Sequence, residues 1–240
     1  MSSVMMKVCP HDTIREPERW TELAMYLNAA TGTELTFDIS IDFPDFQDNL
    51  GRSGLVYANP SDTLDLVNNH QFTVLARPAG RFDEAVLVCN TEQEAVLAGI
   101  NGKPLATVVS LMPTKIALQM LGKQGIAPSE LHNVDLWQAV IGCIWRGECQ
   151  YGIVYKDTYN GLSEQSKGMV KLLATTDEQV AFHSILVGPA LAAQADALRA
   201  ALREMPNDPT GKALMERLAI TRWEPVSETE LATMQALANG

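Results

Sequence analysis

Ser110, Thr114 and Lys115 are the residues of this chain best suited by type and spacing to hold a small anion. They lie in Ser110-Leu111-Met112-Pro113-Thr114-Lys115, which follows the apolar run Ala106–Val109 and leads into Ile116, Leu118, Met120 and Leu121. The run reads as a short buried parallel strand, and Pro113 as the opening of a helix. A helix that starts directly behind a strand end offers free N–H groups; hydroxyls add donors and a lysine adds charge. Ser110 or Thr114 equally suits plain helix capping, so both roles stay open. Further candidates to line a solute site are Pro10 and His11 after the first strand, Tyr57 and Asn59 at the end of another, Phe82 shortly after Gly80, Trp137 at a helix start, and Gln150 and Tyr155. Each has a blander role: Trp137 suits core packing, and His11-Asp12 suits an exposed turn. His183 reads as an interior histidine, His70 and His132 as surface residues.

Signals for catalysis are thin. There is no nucleophile elbow, HExxH, P-loop or GxGxxG, and no pairing of carboxylates stands out. The cysteines, Cys9, Cys89, Cys143 and Cys149, form no CxxC, and Cys143 and Cys149 lack a zinc-site pattern. They read as buried free thiols, so neither metal nor cofactor is expected.

The elements that must position these residues alternate between strand and helix. The pattern predicts strands at Met5–Cys9, Glu34–Ile41, Gly54–Tyr57 and Phe72–Ala76, with helices at Glu18–Ala30 and Pro60–Asn68. Glu84–Cys89 is a strand that crosses into a second lobe. That lobe has a strand at Ala106, helices from Pro113 and around Leu136–Ile144, a stop at Gly147 and a strand at Gly152–Tyr155. His183–Val187 crosses back, and Pro189–Met205 reads as one amphipathic helix. Alternating βα units imply a parallel sheet in each lobe. The expected architecture is α/β: residues 1–86 and 185–240 form lobe 1, residues 87–184 form lobe 2, with a hinge near 85–89 and 183–187 and a central cleft.

Several of these segments carry a resemblance. Gly102-Lys103-Pro104-Leu105-Ala106, Ser110 to Thr114, Gly125-Ile126-Ala127-Pro128, and Ile144 through Gly147 to Gly152 are similar to the phosphonate/phosphate-binding (PhnD-like) branch of the type 2 periplasmic binding proteins. Val4–Pro10, Trp20–Gly32 and Ala181–Leu191 continue the similarity, so it spans most of the chain. The resemblance implies a two-lobed type 2 periplasmic-binding-protein fold with two crossing hinge strands. It also implies capture of a small solute by hinge closure, with an ABC permease or a sensor as partner. The chain departs from the family where relatives place a Ser-Thr-Ser-Gly-like turn; Trp137 stands where the family's His would lie, and Gln150 on its Asp. These departures imply a ligand less charged than a phosphonate, a larger and partly aromatic one, or none.

Composition sets the remaining bounds. The 240 residues are 46% hydrophobic and 20% charged, as in an ordinary globular chain. A net charge of −11 argues against nucleic acid or an acidic membrane as partner, but not against a small oxyanion held by local donors. No apolar run is long enough to span a bilayer. The protein is expected to be periplasmic if a signal segment was trimmed ahead of Met1, and cytoplasmic if Met1 is the natural start, which unpaired thiols favour slightly. A monomeric solute-binding protein without enzymatic activity is the first expectation. A cytoplasmic lyase or dehydratase on the same fold, as in futalosine-pathway chorismate dehydratase, is the alternative. A cleft that has become an interaction surface is the third.

Overall fold

The computed structural model describes residues 4–13, 16–40, 42–48 and 50–239. The expected strand end at Ile41 and the terminal Met1-Ser2-Ser3 and Gly240 lie outside them. The chain folds into two compact units, Met1–Arg81 with Phe182–Leu231, and Phe82–Ala181 with Ala232–Gly240. In chain order the first holds β1 (Val4–Val8), α1 (Pro10–Thr13), α2 (Glu18–Thr31), β2 (Leu35–Asp38), α3 (Phe43–Asp48), β3 (Leu55–Ala58), α4 (Pro60–Asn69) and β4 (Thr73–Pro78). The second holds β5 (Ala85–Asn90), β6 (Pro104–Thr107), α5 (Met112–Lys123), β7 (Glu130–Asn133), α6 (Trp137–Trp145), β8 (Tyr151–Tyr155), α7 (Lys156–Asn160), α8 (Glu164–Lys167) and β9 (Val170–Thr175). The chain returns to the first unit through β10 (Ser184–Val187), α9 (Ala195–Glu204), α10 (Pro209–Leu218) and β11 (Trp223–Glu224). The last helix, α11 (Glu228–Asn239), runs across the boundary at Leu231.

In the first unit the strands lie in the order β11-β4-β10-β3-β1-β2. Every residue of β3 and β10 is buried, and their side chains alternate between two cores. Leu55, Tyr57, Ile185 and Val187 face the cluster built by Trp20, Leu23 and Leu27 of α2 with Leu198, Leu202 and Leu214. Val56, Ala58 and Leu186 face Phe46, Leu66 and Phe72 on the other side. A strand covered on both faces reads as a continuous apolar run rather than an alternating one. Helix α2 buries Trp20, Leu23, Ala24 and Leu27 along one stripe and stops at Gly32, whose φ of +69° is the left-handed conformation that glycine adopts without strain.

The second unit repeats the plan with the order β7-β6-β8-β5-β9. Val86, Val88, Ala106 and Val154 pack under α6. Ala85, Leu87, Leu105 and Ile153 pack under Ala117 and Leu121 of α5. A Cβ added at Gly152 would meet Val140 Cγ1 at 2.5 Å, Ile144 Cδ1 at 2.9 Å and the Ala106 carbonyl at 3.2 Å, so this glycine lets α6 lie against β8.

Three sequence expectations are corrected. The sheets are mixed, not parallel: β10 runs antiparallel to β3 and β4, and β5 antiparallel to β8 and β9. Both are the strands with which the chain enters a unit, so neither is the product of a βα crossover within its own sheet. The segment expected as one helix at Pro189–Met205 is a 3₁₀ turn over Pro189–Gln194, α9, and a second 3₁₀ turn from Met205. Leu191 breaks it, leaving helical dihedrals at φ −119°, ψ 15° while its side chain is buried in the first unit's core. An extra strand, β7, lies between α5 and α6 in the chain and pairs in parallel with β6.

Replacing Gly152 by alanine is expected to lower stability by about 1–3 kcal/mol through overpacking against Val140 and Ile144. The check is urea unfolding, in which the midpoint falls with an unchanged m-value.

Candidate ligand site

The first unit gathers polar side chains where its central strands end. β1 is parallel to β3, with Val8 opposite Tyr57, and β10 is antiparallel, with Ser184 opposite Ala58. Residues that follow β1 and β3 therefore meet the residue that precedes β10. His183 Nε2 lies 3.4 Å from Asp12 Oδ2, and both side chains are largely buried. The Asp12 carbonyl accepts from Trp20 Nε1 at 3.0 Å and Arg19 Nη2 at 2.8 Å, which ties α1 to α2. Tyr57 is sandwiched, its ring 4.7 Å from that of Trp20 and 5.5 Å from that of His183, nearly parallel to the latter. His11 meets Phe43 edge-on at 5.6 Å, and Pro10 is buried at the start of α1.

Asn59 joins this cluster to α4. Its Oδ1 accepts from the Asp62 N–H at 3.0 Å, capping the helix, and its Nδ2 donates to Asp62 Oδ2 at 2.6 Å. Gln47 Nε2 donates to the other Asp62 oxygen at 3.0 Å. Burial pushes the Asp62 carboxyl up, and the Gln47 and Asn59 donors only partly offset this. Cys9 Sγ lies 3.8 Å from Asn59 Nδ2, and its thiol is likewise pushed up by burial, with His183 beside it acting in the opposite sense. Cys9, Asp12 and His183 could each turn a ligand atom toward a common cation, all within 4.8 Å of one another.

In the second unit α5 opens behind β6. Its N-cap position is Leu111, in extended conformation, with no side chain capping the helix. Ser110 is exposed. Thr114 is buried, its hydroxyl donating to the Val108 carbonyl at 2.7 Å and lying 2.6 Å from the Thr107 hydroxyl. Lys115 is half-buried and donates to the Ala238 carbonyl. Trp137 is buried in the core under α6, its ring 6.4 Å from that of Tyr155. The Tyr155 hydroxyl reaches Asp83 Oδ1 at 3.3 Å and Asp157 Oδ2 at 3.4 Å, and Phe82 is half-buried. Gln150 is exposed at the amino-terminal end of β8. Because Leu105 pairs with Tyr151 in parallel, Gln150 is level with the start of β6 and a strand's length from Ser110, which lies beyond that strand's carboxyl end.

Among the candidates, Pro10, His11, Tyr57 and Asn59 thus share the strand-end region of the first unit, while Ser110 and Lys115 share the start of α5. Asp12 belongs to the loop that the sequence places here, whereas its partner His183 reads from sequence only as an interior histidine. Their pairing depends on β10 running antiparallel, and no local pattern signals it.

The raised Asp62 carboxyl carries a pH signature. Its folded pKa lies above the ordinary aspartate value of about 3.8, so the native state binds the proton more tightly than the unfolded chain. Its contribution to stability therefore falls as pH rises from about 3.8 through the folded pKa, and is level above it. The stability of the parent relative to Asp62→Asn is expected to decline across that window. Urea unfolding of both proteins over a pH series measures it.

The fold recurs in solved structures. XAC2383 from Xanthomonas citri, bound to chloride ion, aligns at TM-score 0.79 and 15% identity, covering 100% of this chain and 97% of its own. PhnD1 from Prochlorococcus marinus, in complex with methylphosphonate, aligns at 0.78 and 11%, covering 99% and 97%. The aliphatic sulphonate-binding protein SsuA from Escherichia coli aligns at 0.69 and 12%, covering 100% and 86%. No curated protein matches the chain. The profile of the family described as ABC transporter, phosphonate, periplasmic substrate-binding protein matches residues 9–231. That match takes in both units and nearly every element described above, and the chain belongs to this family of periplasmic substrate-binding proteins.

Proposed function

We propose that the chain binds a small phosphorus or sulfur oxyanion and delivers it to an ABC permease, with capture rather than bond-breaking as its output. The observation that carries this is the start of α5. The helix is 12 residues long, begins directly behind a buried strand, has no side-chain cap, and has the exposed hydroxyl of Ser110 beside it. The positive end of the helix dipole, which no side chain caps, favours an anion there. Two likenesses support the same ligand class: one structural neighbour holds methylphosphonate and another is a sulphonate-binding protein. The net charge of −11 does not oppose it, because these groups act at contact distance while distant charges are screened within about 8–10 Å.

On the first unit, His11 is the proposed contact, and Tyr57, buried between the Trp20 and His183 rings, serves the packing behind it. Asn59 also serves from behind, since both of its amide atoms already bond to Asp62. In the second unit Thr114 and Trp137 serve the packing that sets the start of α5 and the core under α6. The proposed working state is a monomer, and the proposed location is the periplasm, which the family's description supports. No described helix is long and apolar enough to cross a membrane.

Calorimetric titration with methylphosphonate, phosphate and methanesulfonate tests the proposal. One of these is expected to bind with a single-site isotherm. Ser110→Ala should weaken it about tenfold to a hundredfold, the worth of one hydrogen bond to a charged group. Gln150→Ala, at the far end of β8, should leave it unchanged. No binding heat from any of the three would overturn the oxyanion assignment.

A further inference from the structure

A corner of the second unit, apart from the residues proposed to contact ligand, brings together three side chains with metal-ligating atoms and sets a second thiol next to them. The edge strand β7 is polar and almost wholly exposed, and it carries His132. Helix α6 approaches its end at Cys143, which is fully buried. Gly147, at φ +75°, turns the chain so that Glu148 and Cys149 come back toward the same point before β8 begins. His132, Cys143 and Glu148 can each present a ligand atom within 4.8 Å of the other two. Cys149 directly follows Glu148, and its thiol neighbours that of Cys143. The two cysteines are 0% and 3% exposed while His132 and Glu148 face solvent, so an ion could enter from outside and reach thiols set in an apolar wall.

We propose that His132, Cys143, Glu148 and Cys149 form a tetrahedral zinc site that clips the edge strand β7 to the end of α6. Thiolate, imidazole and carboxylate are all ordinary zinc ligands, and soft thiolates favour zinc over magnesium or calcium. Four protein ligands leave no open position, so the site is structural and not catalytic. Its charge also balances. Two thiolates and a carboxylate against a dication leave one negative charge, and Arg146 supplies one positive charge, paired with Glu148 at 2.5 and 3.1 Å. Each oxygen of that carboxylate retains a further lone pair for the metal. On binding, each thiol releases its proton to solvent as its sulfur takes the ion, with no change of oxidation state. Burial, then the Cys149 thiol and the Glu148 carboxylate, push the Cys143 thiol up to about 12, so in the absence of a cation it holds its proton. The site also gives a purpose to β7, whose single inward apolar side chain, Leu131, is a weak anchor by itself.

The test is a titration of reduced, metal-free protein with cobalt(II), followed by zinc. One equivalent of cobalt is expected to give thiolate-to-metal charge-transfer absorption and the intense d–d bands of a tetrahedral site, and one equivalent of zinc to abolish both. Zinc should raise Tm, and Cys143→Ser and Cys149→Ser should each diminish the charge-transfer band. Should a serine variant fail to fold, the exposed His132→Ala keeps the test decisive. It should weaken zinc binding by about tenfold or more with the metal-free Tm unchanged. Absence of a stoichiometric complex would overturn the proposal. So would unchanged zinc affinity in His132→Ala, or a Cys143–Cys149 disulfide that forms in protein purified without reductant and leaves no thiols to bind.

Discussion

A strand buried on both faces has no place for a polar side chain except at its ends, and both sheets of this protein are built from such strands. β3, β8 and β10 are buried along their whole length, and β5 along all but its last residue. Burying an unpaired polar group costs about 1–3 kcal/mol, so hydroxyls, amides, imidazoles and carboxylates collect at the strand termini and at the helix starts that follow. This is why the polar cluster of the first unit sits where β1 and β3 end and β10 begins. It is also why Ser110 lies one turn behind the end of β6. The binding chemistry is a consequence of how the cores are covered.

The two units solve the helix-start problem differently. In the first, Asn59 caps α4 and braces Asp62, and the Asp12 carbonyl receives donors from Trp20 and Arg19. The Asn59 amide and the Asp62 carboxyl are consumed by one another, which fixes the start of α4. In the second, α5 starts without a side-chain cap, and its threonine turns inward to Thr107 and Val108. Donors must be held in place without being used up.

Much of this fold is legible in the sequence. The stripe of Trp20, Leu23 and Leu27 marks α2, Pro60 and Pro113 mark helix starts, and the apolar runs mark β3, β5, β8 and β10. The mixed direction of the sheets is not legible, because an apolar run buried on both faces looks the same in either direction. β7 escapes detection for the opposite reason: Glu130-Leu131-His132-Asn133 has one apolar residue, and its backbone bonds to β6 are what make it a strand. At the candidate site, Ser110 and Lys115 can be placed at a helix start from sequence alone. Whether Thr114 faces inward depends on the phase of α5 against β6. The sequence leaves Trp137 open between core and ligand; in the structure its side chain is buried in the second unit's core at the start of α6. The thiols of Cys143 and Cys149 meet only because Gly147 turns the chain between them.

A thermal-shift panel on the purified protein tests the central claim most directly. It would hold phosphate, phosphite, alkylphosphonates, sulfate and alkanesulfonates beside neutral and aromatic carboxylic compounds. A ligand present at about a hundred times its Kd stabilises the folded state by about 2.7 kcal/mol, roughly 5–10 °C for a chain of this size. The account predicts a shift of that order with one phosphorus or sulfur oxyanion, and little with the others. A panel that is flat for every oxyanion at millimolar concentration would contradict it.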